Sequence, residues 1–116
     1  MHKRGPPSGV HLAALGGLWQ AAVFGMAGLR AREDGIALNP HLPPGWTELR
    51  CCVQWRGRRL RLKLNDNPPR IEVEVNGAGD LTIAVIDGPA CRGYPSRSYA
   101  VGHDGSAWAA WQEVDR

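Results

Sequence analysis

The sequence LRCCVQWRGRRLRLKL, residues 49–64, alternates apolar and polar side chains on both sides of an Arg-Gly pair. Strict alternation is typical of strands that bury one face. A two-residue turn at residues 56–57 places Cys51 opposite Leu62, and the apolar positions of both arms then share one face. Turn and alternation set the same register, and they predict an antiparallel hairpin with Cys51 pointing inward and Cys52 outward.

Two more alternating segments follow the hairpin. Their apolar positions are Ile71, Val73 and Val75, then Leu81, Ile83 and Val85. We expect these segments to extend the hairpin into one antiparallel meander over residues 47–88. In that meander Lys63 lies opposite Glu72 and Arg61 opposite Glu74, which are complementary pairs worth roughly 0.2–1 kcal/mol each.

The segment GVHLAALGGLWQAAVFGMAGLR, residues 9–30, is long enough for a helix and apolar on every side. An amphipathic surface helix would show one apolar stripe instead. Each interior glycine costs up to about 1 kcal/mol relative to alanine in a helix, a cost that close approach to a neighbour would offset. The segment therefore predicts a long buried helix that needs a missing barrel or another protein to cover it.

A membrane is the alternative environment for this helix. Basic residues at the N-terminus precede the apolar run, as in a signal peptide or a membrane anchor. His11, Gln20 and the glycines weigh against insertion, and burial in protein is the preferred interpretation.

Composition narrows the possible functions. The 116 residues are the size of one ordinary domain, and the 14 Lys and Arg are interleaved with 11 Asp and Glu. Without a basic block, nucleic-acid binding is not expected. The three cysteines lack metal-ligand spacing, so they predict no metal site and fit a reducing, cytoplasmic location.

The chain divides into four segments by pattern. Residues 1–35 hold the lead-in and the predicted helix, and residues 36–46 form a Pro-rich crossover that cannot be helical. Residues 47–88 are the predicted β-domain. Residues 89–116 are rich in Gly, Pro and Ser and are predicted to be a mostly irregular tail.

Three segments in this order resemble the C-terminal end of glycoside hydrolase family 65, which includes maltose, trehalose and kojibiose phosphorylases. They are the apolar run, the crossover LNPHLPPGW at residues 38–46, and the hairpin at residues 49–64. The resemblance implies an α+β fold, in which the last helix of an (α/α)6 barrel leads into a small antiparallel β-sheet or sandwich.

The resemblance also implies a function in carbohydrate metabolism. Family members act on an α-linked glucose disaccharide, use inorganic phosphate or water as the attacking group, and need no cofactor. A glutamic acid in the barrel protonates the glycosidic oxygen. Because the motif that houses this glutamate is not in the sequence, we predict no catalytic residue and no turnover by the chain alone. A small non-enzymatic β-module with a membrane-anchoring helix is the alternative.

His11, Ser8 and Gly9 form the candidate phosphate site. They lie at the start of the predicted helix, where unpaired N–H groups and the positive end of the dipole favour an anion. The resemblance implies that His11 contributes to the inorganic phosphate site of the phosphorylases. A capping or packing role for His11 is the other interpretation.

His103, Asp104 and Ser106 have the residue types of a catalytic triad, but they lie within four positions of one another in a Gly-rich tail. Such a loop offers little of the rigid support that a nucleophile and a base require. We interpret them as loop residues. Asp66 and Asp80 flank turns and are explained by turn chemistry.

Overall fold

The computed structural model of the protein describes residues 10–13, 28–66 and 68–115. These residues form ten strands in two sheets, and none of them lies in a helix. The strands are β1 (Val10–Ala13), β2 (Arg30–Ala31), β3 (Gly35–Leu38), β4 (Glu48–Trp55), β5 (Arg58–Asp66), β6 (Pro69–Gly77), β7 (Leu81–Val85), β8 (Ala90–Gly93), β9 (Arg97–Gly102) and β10 (Gln112–Val114). The six-stranded sheet has the order β1-β4-β5-β6-β9-β10, and the four-stranded sheet has the order β2-β3-β7-β8.

The predicted hairpin is confirmed in its turn and its register. Strands β4 and β5 pair antiparallel, with Cys51 opposite Leu62. Arg56 and Gly57 both have positive φ, 46° and 82°. Positive φ at both central residues is the condition for the type I′ turn that matches strand twist. Cys51 is buried and Cys52 is half-buried on the other face.

The charge pairs between β5 and β6 are also confirmed. Lys63 lies opposite Glu72 and Arg61 opposite Glu74 in the ladder. Their charged atoms are 3.9 Å and 3.8 Å apart. Arg61 and Lys63 on this face of β5 are therefore paired with carboxylates of the neighbouring strand β6.

The predicted meander is wrong at its fourth strand. Strand β7 does not pair with β6; it pairs parallel with β3 and antiparallel with β8 in the second sheet. Strand β9 pairs with β6 instead, and supplies buried Tyr99 and Val101. Alternation shows which face of a strand is buried, but it does not show which sheet the strand joins.

The predicted irregular tail is a second correction. Residues 89–116 contain strands β8, β9 and β10, and two of them complete the six-stranded sheet. Their short lengths and the surrounding Gly and Pro residues hide the strand pattern in the sequence.

The predicted α+β fold with a long N-terminal helix is the third correction, because the described residues are all β. Strand β1 lies where the helix was expected to begin, and it pairs parallel with β4, with Val10 opposite Leu49. A run that is apolar at nearly every position has no period that distinguishes helix from strand. Pairing satisfies the backbone groups at the β4 edge. Residues 14–27 of the predicted helix lie outside the described residues.

One apolar core joins the two sheets into a sandwich-like domain. Gly93 on β8 shows how closely they approach, because a Cβ there would lie 3.2 Å from the side chain of Val75 on the opposite sheet. The fully buried large side chains come from both sheets and are Ile36, Leu38, Leu49, Leu60, Leu62, Leu64, Ile71, Val73, Val75, Leu81 and Ile83.

Candidate functional site

A pocket of about 240 Å³ lies where three separate segments of the chain meet. The first is the crossover after β3, the second is formed by the adjoining ends of β5 and β6, and the third is the loop after β9. The pocket is lined by Asn39, Pro40, Leu42, Asn65, Asp66, Pro69, His103 and Trp108. It combines apolar rings with amide, carboxylate and imidazole groups.

The loop after β9 is fixed by hydrogen bonds around Asp104. The backbone N–H groups of Ser106 and Ala107 donate to Oδ1 of Asp104 at 2.8 Å and 3.0 Å, and the hydroxyl of Ser106 donates to the same oxygen. These donors, the backbone ones first, lower the pKa of Asp104 to about 2. The loop is thus held by a carboxylate.

His103 and Trp108 close the same loop against the pocket. They form an isolated antiparallel bridge, and their rings are 5.1 Å apart at 82° to each other. The backbone N–H of Gly105 donates to Nδ1 of His103 at 3.0 Å. With Nδ1 accepting, a neutral imidazole carries its proton on Nε2 and can donate from there.

The arrangement around Asp104 rules out a triad. The hydroxyl of Ser106 donates to Asp104, and Nδ1 of His103 is occupied by the amide of Gly105. A triad needs the hydroxyl bonded to the imidazole and the carboxylate bonded to the other ring nitrogen. The interpretation of these residues as a structural loop is confirmed.

Behind the pocket, Asn65 is oriented by the half-buried carboxylate of Glu48. Its side-chain N–H donates to Oε1 of Glu48 at 3.3 Å, and Arg50 and Lys63 contact the same carboxylate at 2.6 Å and 3.8 Å. Burial alone would raise the pKa of Glu48. The hydrogen bonds from Arg50 and Asn65 and the two nearby cations outweigh burial, and the pKa is lowered.

The predicted phosphate residues remain a prediction. Ser8 and Gly9 lie outside the described residues. His11 lies in strand β1, opposite Arg50 on β4, so it is not in the first turn of a helix. The N–H groups and dipole of a helix N-terminus therefore do not apply to His11, and the resemblance alone supports the phosphate site.

The pocket itself was not found in the sequence. The sequence predicts a turn at Asp66 and a loop at His103, and neither prediction brings the two residues together. Asn39, Asn65 and Trp108 gave no signal, because no local spacing relates them. Among the residues that the structure describes, no group of three or more His, Cys, Asp or Glu could hold a metal ion.

Two packed β-sheets with a cleft of mixed polar and apolar lining at their rim define a small β-domain of the sandwich class. The family model of the glycosyl hydrolase family 65 C-terminal domain matches residues 29–90, which is just over half of the chain. The chain belongs to this family.

The relatives are enzymes much longer than this chain. The chain is 37% identical over 75 residues to α,α-trehalose phosphorylase from Geobacillus stearothermophilus, covering 65% of this chain and 10% of the relative. It is 36% identical over 86 residues to an uncharacterized glycosyl hydrolase from Mycobacterium tuberculosis, covering 74% and 9%. It is 39% identical over 57 residues to kojibiose phosphorylase from Escherichia coli, covering 49% and 8%.

The chain spans about a tenth of the length of these relatives. No solved structure matches it. Within the described part of the chain, no helix is long and apolar enough to cross a membrane.

Proposed function

We propose that this chain serves as the C-terminal β-domain of an enzyme that cleaves α-linked glucose disaccharides by phosphorolysis or hydrolysis. The observation that carries the proposal is the family match at residues 29–90, which begins just before β2 and ends at the first residue of β8. The match thus covers strands of both sheets. Relatives named as trehalose and kojibiose phosphorylases support the reaction class.

The proposed domain is not catalytic by itself. The general acid of such an enzyme needs a raised pKa so that it is protonated when the glycosidic bond breaks. Hydrogen bonding from Arg92 lowers the pKa of Asp80, and the pKa values of Glu48 and Asp104 are lowered as well. These three groups are held as carboxylates, which is unsuited to donating a proton.

The proposed partner of the domain is a catalytic barrel of the same family. Such a barrel supplies the glutamic acid that the resemblance implies. The three cysteines are free thiols, which supports a reducing compartment such as the cytoplasm as the proposed location.

Inorganic phosphate is the proposed co-substrate, with His11, Ser8 and Gly9 as its proposed ligands. The resemblance supports this assignment. In a longer enzyme that carries this chain, His11→Ala is expected to raise the KM for phosphate and to leave the KM for the disaccharide nearly unchanged. An unchanged KM for phosphate would remove His11 from the site.

The direct test of the proposed function is an assay of the purified chain. Trehalose, kojibiose and maltose are each incubated with inorganic phosphate, and glucose 1-phosphate is measured, with the Geobacillus trehalose phosphorylase as positive control. We expect no glucose 1-phosphate above the blank. Release by the chain alone would show that it contains a general acid and would overturn the proposal.

A further inference from the structure

We propose that the pocket between the crossover after β3, the adjoining ends of β5 and β6, and the loop after β9 binds one hexose unit of a neutral saccharide. The pocket of about 240 Å³ combines a tryptophan with hydrogen-bonding groups on separate segments. A pyranose ring presents the matching chemistry, because its C–H faces are apolar and its edge carries hydroxyls.

The apolar contribution comes from Trp108 and Leu42. Both are half-buried and pack against the core, so each keeps a fixed position and a partly exposed surface. An indole combines a large apolar face with one N–H donor and loses little freedom on binding. A saccharide ring laid against it buries C–H groups and leaves its hydroxyls at the rim.

The polar rim offers both donors and acceptors. Asn39 and Asp66 are exposed at the mouth of the pocket and can accept from hydroxyls. His103 lines the same pocket, and its Nδ1 is already satisfied by Gly105, so Nε2–H is the donor it has to offer. Because every hydroxyl both donates and accepts, a mixed rim suits a polyol.

Two side chains that line the pocket, His103 and Asn65, are held in place before any ligand arrives. The loop that carries His103 is fixed by the bonds to Asp104, and Asn65 is oriented by Glu48. Groups that are already ordered lose less freedom on binding. The pocket is therefore a built feature of the domain and not a gap between mobile loops.

Charge distinguishes a neutral ligand from an anion. None of the described residues that line the pocket is Lys or Arg, and Asp66 contributes a carboxylate. Two basic residues flank the lining in sequence, and both already contact carboxylates: Lys63 is within 4 Å of Glu48 and Glu72, and Arg70 is 3.5 Å from Glu72. A phosphate would meet repulsion from Asp66 and no Lys or Arg among the described lining residues.

Size limits the ligand to one ring. The volume is below the range of about 300–1,000 Å³ of sites for drug-sized molecules. A single ring with few contacts binds weakly, so the expected Kd is on the order of 1 mM. Longer saccharides are expected to bind through one terminal unit.

This site is independent of the proposed function. His103 and Trp108 lie outside residues 29–90, so family membership does not by itself predict the pocket. The test below measures binding, whereas the proposed function is tested by turnover, and the two can fail separately.

The experiment is a titration of the isotope-labelled 116-residue chain with maltose, followed by two-dimensional NMR. Maltose is expected to shift the indole N–H of Trp108 and the amides of His103 and Gly105, with saturation in the millimolar range. Inorganic phosphate at the same concentrations is expected to shift none of them. No maltose-dependent shift up to about 50 mM, well above a Kd on the order of 1 mM, would overturn the proposal.

Matched variants locate the binding. Asp66→Ala and Asn39→Ala change exposed side chains at the rim, and each is expected to weaken maltose binding at least about fivefold, since each removes a hydrogen bond. Asp115→Ala removes the same charge from an exposed position outside the lining and should leave the Kd unchanged. Equal Kd values for Asp66→Ala, Asn39→Ala and the unmodified chain would contradict the assignment, as would binding of phosphate in place of maltose.

Discussion

Thiol labelling of the folded chain is expected to modify Cys52 far faster than Cys51. Cys51 is 4% exposed, and burial, together with the neighbouring Cys52, raises its pKa from 9.0 to about 12. A pKa that is three units higher leaves about a thousandfold less thiolate than an ordinary cysteine carries at about pH 8. Because the thiolate is the nucleophile, Cys51 should react far more slowly than an exposed thiol.

Cys91 provides an internal standard for the same experiment. It is half-buried, and burial raises its pKa to about 11, which corresponds to about a hundredfold less thiolate than normal. The expected order of labelling is Cys52, then Cys91, then Cys51.

The assay is a pulse of iodoacetamide at about pH 8 with the label located by tandem mass spectrometry. A parallel sample in urea is the control, because unfolding exposes all three thiols and should bring their rates together. Cys51 labelled as fast as Cys52 in the folded chain would refute the register of β4, and with it the assignment of its buried face.

Two further perturbations test the turn and the loop. Gly57→Ala is expected to lower the free energy of unfolding by about 1–2 kcal/mol in urea titrations, because Gly57 has a φ of 82°. Gly102→Ala is the control and should change the free energy of unfolding little, because the space around its Cβ position is open. Equal values for the two variants would contradict the turn assignment. Asp104 is expected to titrate near pH 2 by carboxyl NMR. Because the pKa of Asp104 is lowered in the folded chain, the stability it adds is present above the ordinary value of 3.8 and is lost as the pH falls toward 2. The amide signals of Ser106 and Ala107 should shift in the same pH range. A titration midpoint at 3.8 would contradict the hydrogen bonds to the carboxylate.

The hairpin could be predicted because two independent signals agree on it. Alternation defines the buried face of each arm, and the Arg56-Gly57 turn fixes which residues lie opposite each other. The same register then places Lys63 beside Glu72 without further assumptions. Local sequence determines local pairing in this part of the chain.

The sheet assignment could not be predicted because it depends on contacts between distant segments. Strand β7 has the alternation of a meander strand, yet its neighbours are β3 and β8. The apolar segment before residue 30 predicted a helix, whereas Val10–Ala13 forms a strand beside β4. Composition shows that a segment is buried, but the partner that covers it decides its secondary structure.

The pocket depends on topology even more strongly. Asn39, Asp66 and His103 are brought together when β3, β5 and β9 reach the same rim of the domain. Each residue alone has an ordinary local explanation in a crossover, a turn or a loop. No spacing in the sequence relates them, so the combination is visible only in the structure.

The most direct test of the domain assignment is a replacement in a relative. In the Geobacillus trehalose phosphorylase, the corresponding segment is replaced by residues 28–115 of this chain, and glucose 1-phosphate release is measured. We expect the chimera to turn over trehalose. Within the chimera, Ala109→Asp changes an exposed loop residue and should preserve the activity. Val73→Asp, which places the same charge in the core, should abolish it together with folding. A folded chimera without any turnover would contradict the assignment of this chain as the functional C-terminal domain of such an enzyme.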